Sequence, residues 1–407
     1  MALIVQKFGG TSVADVARIK NVAKRVISEK QNGNDLVVVV SAMAGVTDKL
    51  ASYAGQASGL SSIESRAEYD TIVSAGEQIT SGLLALVLQE MGHSAISLLG
   101  WQVQIQTSNL HSKASIENIN KELIMKNLEM GKIVVIPGFQ GISSQGRITT
   151  LGRGGSDTSA VAIAGALKAH RCDIYTDVLG IFTSDPRIVP KARKLQKIGY
   201  EEILEMASVG AKVLQTRSVL MAMNHNVCLQ VLSSFKDEPG SLVVNENEIM
   251  ERRVVTGIAS SKNDVRFTIT HLKNIPGVAA EIFAKIGDDV NVDMIVQNIT
   301  AKGDFTDITF TVPKEEADLV EDRLKKAGQY LQYQGLLKDE NVAKVSVIGV
   351  GMKAHSGVAY QMFQTLAEKG VNILVISTSE IKISVLIPAD YLELAMRSLH
   401  TAYGLDG

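Results

Sequence analysis

The chain has 407 residues, of which 45% are hydrophobic and 21% are charged. This length exceeds one ordinary hydrophobic core and the composition supplies ample apolar material, which predicts a globular protein of two or three domains rather than a disordered one. The formal net charge of −2 and the absence of a basic run argue against nucleic acid or an anionic membrane as partner and favour small molecules.

The cysteines and the first residues indicate the cellular compartment. Cys172 and Cys228 have no CxxC partner or histidine-rich companion, which fits reduced, buried thiols rather than a disulfide or a zinc site. The apolar run that begins at Ala2 is interrupted at Lys7 and is too short for a signal peptide or a membrane span. We therefore expect a cytoplasmic protein without a metal site of its own.

The chain opens with the pattern of a strand, a glycine turn and a helix. Residues 2–8 form a mainly apolar run, Gly9 and Gly10 follow, and apolar residues from Val16 onward recur at the spacing of one helix face. Lys7 at the end of the strand and the N–H groups of the turn point at the same space, which is an arrangement that binds phosphate. The arrangement is not a P-loop, because the GxxxxGK[ST] spacing is absent. The alternative is a surface lysine beside a plain turn.

Two further segments carry candidate ligand groups. Residues 36–40 are a β-branched run that predicts a strand buried in a parallel sheet, followed by a small-residue loop from Ser41 to Thr47. Ligands bind at such carboxyl ends in open α/β sheets. A helix predicted over 65–91 carries Glu77 among small and apolar neighbours, where a carboxylate needs an internal cation or the amino group of a ligand.

The densest motif is the segment 151–160, with the sequence Leu-Gly-Arg-Gly-Gly-Ser-Asp-Thr-Ser-Ala. Its glycines permit positive φ angles and close approach to a ligand, and Ser156 or Asp157 can cap the small, apolar helix that follows. The free N–H groups at the start of that helix attract anions. We expect a phosphate or a carboxylate here, and an ordinary glycine-rich turn is the alternative.

Alternating strands and helices continue to residue 245. A strand over 172–175 leads into a turn-rich loop with two acids and an arginine, which suits the ribose and phosphates of a nucleotide. A helix predicted over 210–224 places Lys212 near its N-terminus, and another helix is predicted over 116–129. The alternation predicts one α/β domain over residues 1–245 with a mainly parallel sheet.

The remainder of the chain is an internal repeat. The segment 275–283 recurs at 354–363, a period of about eighty residues. Each copy has the ferredoxin-like pattern βαββαβ. We therefore predict a linker over 246–262 and two modules over 263–338 and 339–407. Paired modules of this kind often form a ligand site where their turns and strands meet, and the alternative is that the two modules only pack together.

Taken in order, the motifs resemble those of the aspartate kinases of the amino acid kinase family, and the repeat resembles their paired ACT domains. The matching segments are 7–12, 40–43, 76–77, 152–157, 176–187 and 210–214. The resemblance covers essentially the whole chain and implies an amino acid kinase fold followed by two ferredoxin-like regulatory modules, in the monofunctional form without an appended homoserine dehydrogenase. It implies phosphorylation of the side-chain carboxylate of L-aspartate by ATP and Mg²⁺, the first step of the lysine, diaminopimelate, threonine and methionine branch.

The resemblance also implies residue roles. Lys7 and Lys212 neutralise the phosphates and the transition state, and Asp157 orients the lysines rather than acting as a base. Glu77 suits the α-ammonium group of the substrate and Arg153 its α-carboxylate. The amino acid pocket is completed by Ser41, Thr47 and Ser156, and ATP is contacted by Lys7, Gly9, Gly10, Thr176, Asp177, Phe182, Arg187 and Lys212.

A regulatory site for an end-product amino acid is implied as well. Its lining is Asn274, Gly277, Val278, Ala279, Gln297 and Asn298 in the first copy, and Ser379 and Glu380 in the second. Asn274 stands where many relatives carry aspartate, and Ser356 replaces the usual proline of a His-Pro-Gly turn. These departures leave lysine, threonine or both open as inhibitors.

Three other functions are alternatives. A kinase of the same fold acting on glutamate, carbamate or a nucleotide is the nearest alternative. Glu77 with Arg153 favours an amino acid with both backbone groups free, and the tandem ACT-like repeats favour the aspartate branch. A non-catalytic amino acid sensor would be expected to have lost Lys7, Lys212 or Asp157, and a nicotinamide oxidoreductase lacks its GxGxxG fingerprint. We also expect a homodimer or higher oligomer through the ACT-like sheets. Whether Met250 starts a separate regulatory subunit stays open.

Overall fold

The computed structural model describes residues 2–210, 213–249, 253–299 and 303–407. The chain divides into two compact units. The first comprises Met1–Ile181, Lys194–Ala207 and Lys212–Met250, and the second comprises Phe182–Arg193, Ser208–Ala211 and Glu251–Gly407. Two short segments that precede residue 245 thus belong to the second unit, and the predicted single boundary near residue 245 is too simple.

The first unit is built from strands and helices in alternation. Its strands are β1 (Leu3–Phe8), β2 (Asp35–Val40), β3 (Ala95–Ser97), β4 (Ile105–Thr107), β5 (Ile116–Ile119), β6 (Ile133–Pro137), β7 (Gln140–Ser143), β8 (Ile148–Thr150), β9 (Arg171–Thr176), β10 (Lys197–Gly199), β11 (Leu229–Ser233) and β12 (Ser241–Val244). Its helices are α1 (Val16–Gln31), α2 (Val46–Ala57), α3 (Ile63–Glu90), α4 (Glu122–Glu129), α5 (Gly155–Leu167), α6 (Tyr200–Ser208) and α7 (Thr216–His225).

An eight-stranded sheet in the order β10-β12-β11-β9-β1-β2-β6-β3 forms the centre of this unit. Its pairs are parallel except β11 with β12. The residues of β2 from Leu36 to Val40 are fully buried, as expected for a central strand. Phe8 lies opposite Val40 and Tyr175, so the segments that follow β1, β2 and β9 start at the same edge of the sheet.

A second, four-stranded sheet in the order β5-β4-β7-β8 completes the strands of the first unit. The helix predicted over 116–129 is wrong in its first part, because Ile116 and Ile119 pair with Thr107 and Ile105 of β4. Apolar spacing alone cannot show such pairing across strands. The helix predicted over 210–224 begins only at Thr216.

Helix α3 has 28 residues and is long and apolar enough to cross a membrane, with a mean hydropathy of 1.4 over its most apolar stretch. Half of that stretch is buried inside the unit. The helix also buries polar side chains, among them Asp70, Ser74, Glu77 and Thr80. Such burial of carboxyl and hydroxyl groups is typical of a core helix that positions a site.

The second unit contains two antiparallel sheets with helices. Its strands are β13 (Gly257–Ser261), β14 (Asp264–Lys273), β15 (Asp293–Ile299), β16 (Phe305–Pro313), β17 (Gly335–Asp339), β18 (Val342–Ile348), β19 (Val375–Thr378) and β20 (Lys382–Pro388). Its α-helices are α8 (Val278–Ile286), α9 (Lys314–Leu331), α10 (Val358–Glu368) and α11 (Leu392–Ala402).

The two repeats differ in how they complete their sheets. The first has the order β15-β16-β14-β17 and is a contiguous βαββαβ module, as predicted. The second has the order β13-β18-β20-β19, so its fourth strand comes from before the first repeat, with Gly257 opposite Ile348. The predicted linker over 246–262 is therefore wrong for residues 257–261. These residues pair with β18 and prevent it from being an open edge.

Candidate active site

A pocket of about 330 Å³ lies at the carboxyl edge of the eight-stranded sheet. It is lined by Lys7, Gly10, Ser41, Ala42, Met43, Ala44, Gly45, Thr47, Asp48, Glu77, Phe139, Gly152, Arg153, Gly154, Gly155, Ser156 and Asp157. Every residue predicted for the amino acid pocket is in this set, and so are the predicted catalytic residues Lys7 and Asp157. Lys212 lies outside the described residues.

The charged centre of the pocket is the ion pair of Lys7 and Asp157. The Nζ of Lys7 lies 2.5 Å from a carboxylate oxygen of Asp157, and the two side chains are only 11% and 12% exposed. Lys7 belongs to β1 and Asp157 to the first turn of α5, so the pair joins the glycine turn after β1 to the start of that helix. The paired cation lines the pocket together with Gly155 and Ser156 at the start of α5.

The starts of α2 and α5 both lie at the pocket, and neither has a side-chain cap. Gly45 with φ 77° precedes α2 and Gly154 with φ 73° precedes α5. The prediction that Ser156 or Asp157 caps α5 is wrong, since these residues already lie within its first turn. Uncapped helix starts attract anions. The start of α2 is not among the anion sites predicted from the sequence. The signal that could have indicated it is Gly45 in the small-residue loop.

Glu77 is a buried carboxylate with one unused oxygen. Its Oε1 accepts a hydrogen bond from the backbone N–H of Ala42 at 3.1 Å, and its Oε2 has no partner among the residues that the structure describes. Burial raises the pKa of Glu77 to about 7, although the Ala42 N–H opposes this shift. Such a group gains from a ligand that brings a positive charge.

Arg153 is exposed at the rim of the pocket, in the loop between β8 and α5. Within the described part of the chain it has no ion-pair partner, so its guanidinium group is available to a ligand. Gly152 and Gly154 on either side of it have φ angles of 75° and 73°. This conformation favours glycine and gives the loop its tight path.

The residues predicted to form the nucleotide loop are divided between the two units. Thr176 is the last residue of β9 and Asp177 follows it in the first unit, and the hydroxyl of Thr176 donates to Asp177 at 3.1 Å. Gly9 donates its N–H to the carbonyl oxygen of Tyr175, which ties the first glycine turn to the end of β9. Phe182 and Arg187 belong to the second unit, where Arg187 pairs with Asp185 at 2.8 Å.

The residues predicted for regulation lie in the two antiparallel sheets. Gly277, with φ 97°, precedes α8, whose first residues are Val278 and Ala279. The side chain of Asn274 donates to the carbonyl oxygen of Gly303, and Gln297 and Asn298 are exposed on β15, an edge strand. Ser379 and Glu380 follow β19, the edge strand of the other sheet, and Glu380 pairs with Lys353 at 2.8 Å. The two edge strands meet, because Met294 of β15 and Val375 of β19 share one apolar cluster.

The fold and the pocket together define an α/β enzyme whose pocket combines a paired lysine with a buried carboxylate. The family model described as the amino acid kinase family matches residues 2–233, and a model of the ACT domain matches residues 345–403. The chain is 50% identical over 408 residues to an aspartate kinase of Pseudomonas fluorescens, with 100% of this chain and 98% of that protein covered.

Solved structures agree with this match. The chain is similar to E. coli aspartokinase III in complex with aspartate and ADP, with a TM-score of 0.80, 27% identity, and 98% and 99% of the two chains covered. It is equally similar to that enzyme in complex with lysine and aspartate, with a TM-score of 0.80 and 28% identity. The chain therefore belongs to the amino acid kinase family and, within it, to the aspartate kinases. The resemblance that the motifs indicated is confirmed.

Proposed function

We propose that this chain transfers the γ-phosphoryl group of ATP to the side-chain carboxylate of L-aspartate and forms 4-phospho-L-aspartate. The observation that supports this most is the presence of Glu77, with its unused carboxylate oxygen, in the same pocket as the Lys7–Asp157 pair. The pocket thus offers one place for an amino group and another for phosphate. The aspartate and ADP bound by the E. coli relative support the same pair of substrates.

The reaction needs charge neutralisation rather than a general base. A side-chain carboxylate with a pKa near ~4 is already ionised at neutral pH and can attack the γ-phosphorus directly. Its approach in line with the leaving oxygen, and the negative charge of the transferring group, are what the protein must manage. We assign Lys7 and the N–H group of Gly10 to this task, with Lys212 as the second cation. The N–H group of Gly9, predicted for the same task, is instead donated to the carbonyl oxygen of Tyr175. Asp157 orients Lys7.

Recognition of the amino acid follows from two opposite charges. Glu77 binds the α-ammonium group and Arg153, with its planar fork, binds the α-carboxylate. Ser41, Thr47 and Ser156 supply hydroxyl groups around them. The distance from these two anchors to the γ-phosphate of ATP then selects the length of the side chain that reaches it. An acceptor one methylene longer, such as glutamate, places its carboxylate differently.

Thr176, Asp177, Phe182 and Arg187 are proposed to contact ATP on the strength of the motif resemblance. Among the described residues no group of three His, Cys, Asp or Glu side chains could hold a metal ion. Mg²⁺ usually keeps few protein ligands, so it would bind mainly to the phosphate oxygens of ATP and neutralise their charge.

We also propose regulation by an end-product amino acid at the ACT sheets. The lysine bound by the E. coli relative supports lysine as an effector, and threonine stays open. The lining predicted around Asn274, Gln297 and Ser379 is our candidate site. We also propose a homodimer or larger oligomer through the ACT sheets, since Ile295, Ile299 and Ile376 on β15 and β19 are exposed. We expect the enzyme to work in the cytoplasm.

Hydroxylamine trapping of the acyl phosphate tests the reaction. The purified full chain is incubated with Mg²⁺, ATP and L-aspartate, with L-glutamate as the matched acceptor, and with or without lysine and threonine. We expect hydroxamate with aspartate and not with glutamate, and less of it when the end products are added. Hydroxamate that forms with glutamate and not with aspartate would show that glutamate is the acceptor. If a folded, ATP-binding protein forms no hydroxamate with either acceptor, the result would support a non-catalytic amino acid sensor.

Arg153→Lys tests the carboxylate role within the same assay. A lysine keeps the charge but loses the planar fork, so we expect KM for aspartate to rise about tenfold while KM for ATP stays unchanged. An unchanged KM for aspartate would remove Arg153 from the amino acid site.

A further inference from the structure

We propose that Asp70 is a positioning residue for aspartate binding, although it does not line the pocket. Asp70 is fully buried on α3, seven residues before Glu77 and therefore on the same face of the helix, two turns away. A buried carboxylate is expensive unless it is hydrogen-bonded, so its partners show what it holds in place.

The donors to Asp70 come from two segments of the chain. The hydroxyl of Thr150 donates to Oδ1 at 2.5 Å, and the ring Nδ1 of His111 donates to Oδ2 at 2.7 Å. The backbone N–H of Ser112 lies 3.1 Å from both oxygens. Asp70 thus clamps the end of β8 and the loop at residues 111–114 to the same helix.

Those two segments are also bound to each other and to α7. The N–H of Ala114 donates to the carbonyl oxygen of Thr150 at 2.9 Å. Arg217 donates to the carbonyl oxygens of Leu151 and Ala114, at 2.7 Å in each case. The strand end and the loop are therefore one block, fixed by Asp70 from α3 and by Arg217 from α7.

The block leads directly into the substrate loop. Thr150 is the last residue of β8, and Arg153 follows three residues later. Gly152 packs closely on the same block, because a Cβ there would lie 3.0 Å from the carbonyl oxygen of Ser112. Any shift of the block moves the start of the Arg153 loop.

The consequence concerns one substrate more than the other. This inference rests on the proposed role of Arg153 in binding the α-carboxylate. Displacement of the loop weakens the contact with aspartate while Lys7, on β1, keeps its place. Asp70 therefore controls KM for aspartate through the position of Arg153, with a smaller effect on KM for ATP.

Thr150→Val tests this by removing one donor to Asp70 with little change of shape. Thr150→Ser keeps the hydroxyl and is the conservative rescue. Thr149→Val is the matched control, since Thr149 is equally buried and its hydroxyl lies 2.5 Å from that of Thr107 instead of contacting Asp70. Asp70→Asn replaces one carboxylate oxygen by an NH₂ group, and its KM values are measured in the same series. Thermal unfolding is recorded for every variant.

For Thr150→Val we expect KM for aspartate to rise about tenfold, with KM for ATP within about twofold of wild type. Thr150→Ser should behave like wild type, and Thr149→Val should lose thermal stability without a change in KM for aspartate. A parallel rise of both KM values, an unchanged KM for aspartate, or the same rise in Thr149→Val would overturn the proposal.

Arg153→Lys, assayed in parallel, separates two kinds of failure. If Arg153→Lys raises KM for aspartate and Thr150→Val does not, the positioning role of Asp70 is wrong and the carboxylate site stands. If Arg153→Lys leaves KM unchanged, the carboxylate assignment fails, and the positioning proposal that depends on it fails as well.

Discussion

Lys7 and Asp157 form an ion pair with a separation of 2.5 Å in which neither side chain is more than 12% exposed. Lys7 comes from the strand before the first glycine turn and Asp157 from the helix after the second. The pair therefore fixes the distance between the two turns. Because the carboxylate already holds a lysine, we propose that Asp157 places that cation rather than accepting a proton.

Asp157→Asn should lower kcat on the order of 10²-fold, because a displaced lysine no longer neutralises the transferring group. KM for aspartate should change much less, since the anchors Glu77 and Arg153 are kept. Steady-state kinetics with both substrates varied gives the two parameters. Asp48→Asn is the control: Asp48 is an exposed carboxylate of the same pocket, and its variant should stay within about threefold of wild type. Wild-type kcat in Asp157→Asn would exclude the orienting role.

Aspartate binding should weaken as the pH falls below about 7. Glu77 binds an ammonium group only when it is ionised, and burial raises its pKa to about 7. We expect kcat/KM for aspartate to fall about tenfold per pH unit below that value, since it reports groups of the free enzyme. Glu77→Gln should have a lower kcat/KM and lack this slope between pH 5 and 8. The same slope in the variant would assign the titration to another group.

The same burial affects the stability of the enzyme without ligand. The pKa of Glu77 rises from 4.5 to about 7 in the folded protein, so its contribution to stability is complete below pH 4.5 and is lost as the pH rises through 7. The difference between the two values corresponds to up to about 3 kcal/mol at pH 8. Glu77→Gln should therefore raise the Tm of the first unit at pH 8 and change it little at pH 5. A Tm that is unchanged or lower at pH 8 would contradict this.

The placement of Lys7 and of the glycine turns at one edge of the sheet could be predicted from the sequence. Parallel strands place their carboxyl ends at one edge of a sheet, and the glycines that follow them are visible as residue types. Glu77 was conspicuous because a carboxylate among small and apolar neighbours needs a partner. Local patterns thus supplied the fold class, whereas the joining of Glu77 and Arg153 in one pocket was implied by the motif resemblance.

Features that depend on pairing over long distances could not be predicted. No local pattern shows that β13 joins β18, with Gly257 opposite Ile348. The segment Phe182–Arg193 belongs to the second unit, where Thr183 Oγ1 lies 2.9 Å from Nε2 of His400, 217 residues further on. Such contacts are chosen by the packed fold, and residue propensities carry no signal for them.

Gly154 should tolerate no larger residue. Gly146, which has the same φ angle, serves as the matched control. Gly154 and Gly146 both have φ 73°, but only at Gly154 would a Cβ meet another side chain, 2.3 Å from Cγ of Gln215. Gly146→Ala should cost about 1 kcal/mol for the left-handed backbone alone. Gly154→Ala should cost about 2–4 kcal/mol and raise KM for aspartate, because the start of α5 must move. Thermal unfolding and kinetics test both, and equal losses would show that Gln215 yields freely.

The second unit contains a buried charge cluster between its two sheets. Nζ of Lys344 on β18 lies 2.7 Å from Asp293 and 3.2 Å from Asp264, which belong to the strands of the first repeat. Lys344 and Asp264 are buried. Burial alone would lower the pKa of Lys344, but the two carboxylates outweigh it and raise the pKa. The positive charge of Lys344 thus offsets the free-energy cost of burying the Asp264 carboxylate.

Lys344→Ala should destabilise the second unit by about 3–5 kcal/mol, because it leaves Asp264 buried without its cation. Lys338→Ala is the control: Lys338 contacts three acidic side chains, more than Lys344 does, but these are at least partly exposed and solvent screens the pairs. Its loss should cost no more than about 1 kcal/mol. Hydrogen exchange of the β14 and β18 amides in the full chain measures both. Equal losses in the two variants would mean that the number of ion pairs, and not their burial, determines the stability of this unit.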